Sequence, residues 1–146
     1  MAVLIDTTGI WGLYFSNSKY HEFMKKLRST TELIIPKIIL VEVIYPVYNA
    51  EGISEMQNLG KFLEALKTAE NITILDETLD DITSALEFCV LHKDLFVTEK
   101  GNLSLFDAIL ASIWKRTGLV FYTRDSSLEK FGKIYGLKYK NIEGNK

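Results

Sequence analysis

The chain has 146 residues, 47% hydrophobic and 25% charged, with a formal net charge of −2 at pH 7, the balance of one ordinary globular domain (1–146) with enough apolar material for a sizeable core. Its single cysteine, Cys89, excludes an internal disulfide and a cysteine-based zinc site, and two histidines, His21 and His92, supply a histidine zinc centre or a serine–histidine–aspartate triad poorly. The longest nearly apolar run, Ile38 to Tyr48, is interrupted by Glu42 and Pro46 and falls short of the ~20 residues a spanning helix needs; with no basic n-region in Met1-Ala2-Val3, a cytoplasmic location without membrane contact is expected.

Val3-Leu4-Ile5 predicts a buried first strand that ends abruptly in Asp6-Thr7-Thr8. Thr7 or Thr8 is placed to cap a helix carrying Ile10, Trp11, Leu13 and Tyr14. Ser16-Asn17-Ser18 breaks it and caps a second helix, Lys19 to Leu27, with Phe23, Met24 and Leu27 inward. Glu32 to Ile35 reads as a short strand, and Pro36 suits the first turn of the helix that follows. That helix, about Lys37 to Val47, is nearly continuously apolar and is expected to be buried all round, with Glu42 in its middle and Pro46 kinking or ending it. Ser54 starts an amphipathic helix with Met56, Leu59, Phe62, Leu63 and Leu66 at helical spacing. Ile72 to Leu75 is a strand. Acids from Asp76 to Asp81 open a helix whose inner face is Ile82, Ala85, Leu86, Cys89 and Val90; Cys89 there is a small buried hydrophobe. After a loop at 98–102, Ser104 caps a helix from Leu105 to Arg116 that ends at Gly118. Leu119 to Tyr122 is a strand followed by Thr123-Arg124-Asp125. A helix from about Ser127 to Tyr135 and a last strand from Leu137 to Ile142 complete the chain. Strands alternate with helices throughout, which predicts an α/β fold with a parallel sheet and helices on both faces.

Four acids stand out from this pattern. Asp6 and Asp125 follow strand ends, where open α/β sheets bind their ligands. Asp107 lies in a first helical turn, where capping and the helix dipole would explain it. Glu42 is a carboxylate inside an apolar helix, costly unless paired or ion-bound. Taken singly, Asp6 also reads as a turn former and Asp125 as a cap. Taken together, the four can converge on one cleft. Without a cation they would repel one another and raise each other's pKa. The donor set is oxygen only, so the matching ions are Mg²⁺ or Mn²⁺. Two such ions about 4 Å apart would activate a water and stabilise the leaving oxygen in phosphodiester hydrolysis. Nineteen acids less these four leave 15, against 17 basic residues, so the remaining surface is mildly basic and the net charge does not exclude a nucleic acid.

Asp6-Thr7-Thr8 after a first strand, Glu42, Ser104-Leu105-Phe106-Asp107-Ala108 opening a helix and Thr123-Arg124-Asp125 after a strand together resemble the PIN domain. By size and layout the chain is most similar to the VapC-type toxins of toxin–antitoxin pairs. The resemblance implies a three-layer α/β/α fold around a central parallel sheet of about five strands. It implies a metal-dependent endoribonuclease with Asp6, Glu42, Asp107 and Asp125 as ligands to Mg²⁺ or Mn²⁺. Thr123, together with Thr7 or Thr8, would orient the carboxylates. It further implies an RNA substrate, a small antitoxin partner and a homodimer. Arg124, Lys100, Lys115 and Arg116 are candidates for contacts to RNA phosphates, against the simpler reading of solvated charges. Trp11, Tyr14 and Phe15 could stack on bases, against the simpler reading of core or dimer packing.

Other readings keep a place. A PIN nuclease of RNA processing or decay would need no antitoxin, and the same fold could serve as a non-catalytic RNA-binding scaffold. A phosphorylated receiver domain would need an acceptor Asp at a strand end about fifty residues in, where this chain has Ala50-Glu51-Gly52. A phosphatase with an Asp nucleophile usually carries a second Asp two residues later, where this chain has Thr8.

Overall fold

A computed structural model describes residues 1–144. The elements, in chain order, are β1 (Ala2–Ile5), α1 (Thr7–Tyr14), α2 (His21–Thr30), β2 (Glu32–Pro36), α3 (Lys37–Glu42), α4 (Ile44–Glu51), α5 (Glu55–Leu66), β3 (Ile72–Leu75), α6 (Leu79–Leu91), α7 (Lys93–Phe96), α8 (Leu105–Thr117), β4 (Val120–Thr123), α9 (Ser126–Tyr135) and β5 (Tyr139–Asn141). The five strands form one sheet in the order β3-β2-β1-β4-β5, and every neighbouring pair is parallel. Val3, Leu4 and Ile5 of the central strand are buried, as a strand covered on both faces requires.

The strand order decides where a site can form. From β1 the chain steps outward to β2 and β3, then returns to the other side of β1 for β4 and β5. Parallel crossovers are right-handed, so reversing the direction of travel moves the helices to the opposite face. Accordingly α1 packs on α2 and α3, and α4 on α5, while α6 packs on α8 and α7 on α9. The reversal lies between β1 and β4. In open parallel sheets the crevice for a ligand opens there, outside the carboxyl ends of the two strands. The contact of α3 with α8 bridges the two helical layers.

Several local expectations give way. Asp6, and neither threonine, caps α1: its carboxylate accepts from the Gly9 N–H. The helix expected over residues 37–47 is two helices joined at Val43. Pro46 causes the break four residues upstream, because it offers no N–H to the carbonyl of Glu42 and its ring crowds that carbonyl; α4 then continues through Pro46 to Glu51. This segment is not buried all round, since Val41 is 47% exposed and Tyr45 and Tyr48 also face outward. Pro36 closes β2 and precedes α3 rather than sitting in its first turn. The second helix starts at His21, with Ser18 Oγ accepting from the Tyr20 N–H. On α6 the inner face is Ile82, Ala85, Phe88 and Cys89; Leu86 and Val90 are 50% and 69% exposed. α8 covers only a narrow stripe of that helix, so an apolar side chain outside the stripe stays in water. Thr78 and Asp81 cap α6 reciprocally, whereas Ser54 and Ser104 precede their helices without a capping bond. Gly118 and Gly136 end α8 and α9 in the left-handed conformation that glycine adopts without cost. Among the described residues, no helix is long and apolar enough to cross a membrane.

Candidate acidic active site

The register Ile5↔Tyr122 makes Asp6 and Thr123 the next residues on neighbouring parallel strands. Their side chains meet directly: Thr123 Oγ1 donates to Asp6 Oδ2 at 2.6 Å. The same threonine oxygen accepts from the Asp125 N–H at 3.0 Å, so its one proton is directed at Asp6. Asp6 Oδ2 also receives the Arg124 N–H at 3.3 Å, and Oδ1 the Gly9 N–H at 3.3 Å. This buried carboxylate is therefore held by three donors. Asp125 is held by its own helix, its Oδ1 accepting from the Leu128 N–H at 2.9 Å, which leaves its second oxygen free of the cap.

Glu42 ends α3, just before the break imposed by Pro46. Its Oε1 accepts from Thr7 Oγ1 at 3.0 Å, while its Oε2 is buried with no hydrogen-bond partner. Between the two threonines, the hydroxyl bonded to a carboxylate is that of Thr7; Thr8 lines the cavity. Asp107 stands in the first turn of α8, yet no reciprocal cap with Ser104 uses it. The reciprocal capping role that its position suggests is unfilled, and it lines a cavity with the other three acids instead.

All four acids line one cavity of about 210 Å³, with Thr7, Thr8, Arg124, Leu110 and Leu128 completing the wall. Burial pushes Asp107 up to about 7, and the charges of Asp125, Glu42 and Asp6 add to the rise. Burial also raises Glu42, opposed by the Thr7 hydrogen bond and reinforced by Asp6 and Asp125. In Asp6 burial raises the pKa against the hydrogen bonds from Thr123, Gly9 and Arg124. These are the shifts of carboxylates drawn together in a partly dry site without a counter-charge. Among the described residues, no three acidic, histidine or cysteine side chains are already gathered closely enough to hold one ion. The chemistry of the donors nonetheless fits a hard divalent cation, with four carboxylates, one of them carrying a buried orphan oxygen. An ion would supply the missing counter-charge and draw the side chains together.

The other candidates part company. Arg124 lines the cavity, and its guanidinium is fixed by donating from Nη1 to the Ile142 carbonyl at 2.8 Å. Lys115 and Arg116 lie at the far end of α8 from Asp107, roughly 14 Å along the helix at 1.5 Å per residue. Arg116 forms a two-pronged bond with the buried Asp81, at 2.7 and 3.0 Å, and Lys115 lies over the Tyr135 ring. Lys100, on an exposed turn, does not line the cavity. Leu110 and Leu128 form part of the cavity wall and were not anticipated. Each lies three residues after an acid on its helix, and i,i+3 spacing shares a face, so the signal was available.

Residues 3–134 match the family model of the PIN domain. The chain belongs to the PIN-domain family. Solved structures with the same PIN fold include VapC20 of Mycobacterium tuberculosis, a toxin that cleaves the sarcin–ricin loop, at 16% identity and TM-score 0.68, covering 89% of this chain and 95% of that one. VapBC2 of Rickettsia felis, solved bound to a DNA fragment from its promoter, aligns at 15% identity and TM-score 0.66 over 98% of this chain and 100% of that one. PAE2754 of Pyrobaculum aerophilum aligns at 19% identity and TM-score 0.63 over 97% and 92%. No functionally curated protein sequence matches this PIN domain.

Proposed function

We propose that this PIN domain is a divalent-metal-dependent endoribonuclease and the toxin of a VapBC-type toxin–antitoxin pair. The observation that carries the nuclease reading is the convergence of Asp6, Glu42, Asp107 and Asp125, from four separate places in the chain, on one cavity at the switch point of the sheet. In this reading the four carboxylates hold Mg²⁺ or Mn²⁺, which when bound polarises a water and neutralises charge on the scissile phosphate. The chain's own groups prepare that site. Thr123 fixes the orientation of Asp6, and Thr7 that of Glu42. Burial holds the Asp107 carboxyl up at about 7, so loading a cation, which needs the carboxylate, is favoured by raising the pH. The fixed guanidinium of Arg124 at the cavity wall attracts the anionic RNA backbone. The toxin reading draws on the similarity in fold to VapC20 and to VapBC2. Val41, Tyr45 and Tyr48 form an exposed apolar run along α3 and α4, which a homodimer mate or an antitoxin would cover.

The test is cleavage of single-stranded RNA by the purified protein with Mn²⁺ or Mg²⁺. Activity is expected to vanish in EDTA and in Asp6→Asn and Asp107→Asn, with circular dichroism unchanged. Full activity of either variant, or cleavage indifferent to EDTA, would sink the nuclease reading. Growth arrest on expression, relieved by the same variants and by co-expression of a small neighbouring gene, tests the toxin reading.

A further inference from the structure

We propose that a second, apolar cavity beside the acidic one is a nucleobase subsite, in which Trp11 stacks one base of a single-stranded RNA whose backbone passes into the acidic cavity; the proposal rests on the nuclease reading above. The cavity measures about 200 Å³ and is lined by Thr7, Thr8, Trp11, Tyr20 and Pro46. It shares Thr7 and Thr8 with the acidic cavity, so the two are neighbours. Thr7 and Trp11 lie at i and i+4 on α1, which sets Trp11 one turn beyond Thr7 on the same side of the helix.

The two tryptophans of the chain differ in a telling way. Trp114 is fully buried and donates its indole N–H to the Leu119 carbonyl. Trp11 is only half-buried, and among the described residues its indole N–H donates to no protein group. Packing on Phe15, with ring centroids 4.4 Å apart, occupies part of its surface, and the rest is left to the cavity. Beside it, Lys19 Nζ and Arg124 Cζ lie 5.1 and 5.6 Å from the Tyr20 ring centroid. An aromatic wall bordered by cations is what sequence-tolerant recognition of single-stranded RNA uses, the ring for a base and the cations for its phosphates. The cavity has room for one planar ring and adjoins, through Thr7 and Thr8, the cavity lined by the carboxylates and Arg124, which favours a nucleotide over a peptide side chain.

Because Trp114 is sealed in the core, a change in tryptophan emission on adding RNA reports Trp11. Wild-type protein in EDTA is titrated with a fluorescein-labelled single-stranded RNA hexamer, and with a hexamer of the same backbone lacking bases. Anisotropy gives affinity and tryptophan emission gives stacking. The RNA is expected to quench the emission and the base-free strand to bind without quenching it. Trp11→Leu should weaken RNA binding by about tenfold or more and leave the base-free strand unaffected, while Trp11→Phe restores most of the affinity. Unchanged emission at saturating RNA, or equal RNA affinity in Trp11→Leu and wild type, overturns the proposal. If Trp11→Leu does not fold, the base-free comparison in wild type and the behaviour of Trp11→Phe decide. An emission quenched by a partner protein but not by RNA assigns the cavity to the protein and overturns the proposal as well. Cleavage that ignores divalent ions would defeat the nuclease reading instead, and the quenching measured in EDTA separates that outcome from this one.

Discussion

Replacing Asp107 by Asn is expected to stabilise the ion-free protein at pH 8 while abolishing RNA cleavage. Burial and the charges of Asp125, Glu42 and Asp6 raise the Asp107 carboxyl from 3.8 to about 7. Between those two values the folded chain keeps a proton that the unfolded chain has released. Stability therefore falls as pH rises through this window and levels off above it. At 1.4 kcal/mol per pH unit, the whole interval corresponds to roughly 4 kcal/mol. Solvent contact at the cavity mouth reduces this, so a gain of about 2–4 kcal/mol for the variant is expected above pH 7. Asn has the same shape and no charge at any pH, so its advantage should shrink toward zero near pH 4. Urea unfolding of both proteins across pH 4 to 8 in EDTA measures this directly. Mn²⁺ at one thousand times its dissociation constant should cancel or reverse the order, because it stabilises the wild type by about 4.1 kcal/mol and the variant has lost a carboxylate from the site. A variant no more stable than wild type at pH 8, or a difference that does not change with pH, would refute the mutual repulsion on which the site is argued.

Thr123→Val removes the proton directed at Asp6 and leaves the Asp125 N–H without its acceptor; a loss of about 1–3 kcal/mol in urea unfolding is expected, with weaker Mn²⁺ binding by calorimetry. Arg116→Met leaves the buried Asp81 without its guanidinium; a loss of about 2 kcal/mol is expected, with RNA affinity unchanged, and a large drop in RNA affinity with intact stability would return Arg116 to the RNA surface. Gly132→Ala would press a methyl group against the Cη2 edge of the Trp114 ring, inside van der Waals contact, so a destabilisation of about 1–3 kcal/mol from overpacking is expected, and thermal melting at unchanged Tm would contradict that packing.

The order of the five strands, the two acids after strands and the glycines that end α8 and α9 were legible in the linear chain, whereas the split of residues 37–51 into α3 and α4 and the short α7 were not. The legible features depend on short-range periodicity, backbone conformation and local capping, which neighbouring residues dictate. The convergence of the four carboxylates was legible only as a joint expectation, since each acid alone had an adequate local explanation. Tertiary structure decided the rest. Register between β1 and β4 pairs Asp6 with Thr123, 117 residues apart, and the contact of α3 with α8 brings Glu42 and Asp107 to the same cavity. Thr7 rather than Thr8 bonds a carboxylate because of where α3 lies across α1. Arg116 is held by Asp81, 35 residues away. Leu86 and Val90 stayed in water because α8 covers only one stripe of α6. Each of these depends on which distant surface arrives opposite a residue, and periodicity along the chain carries no information about that.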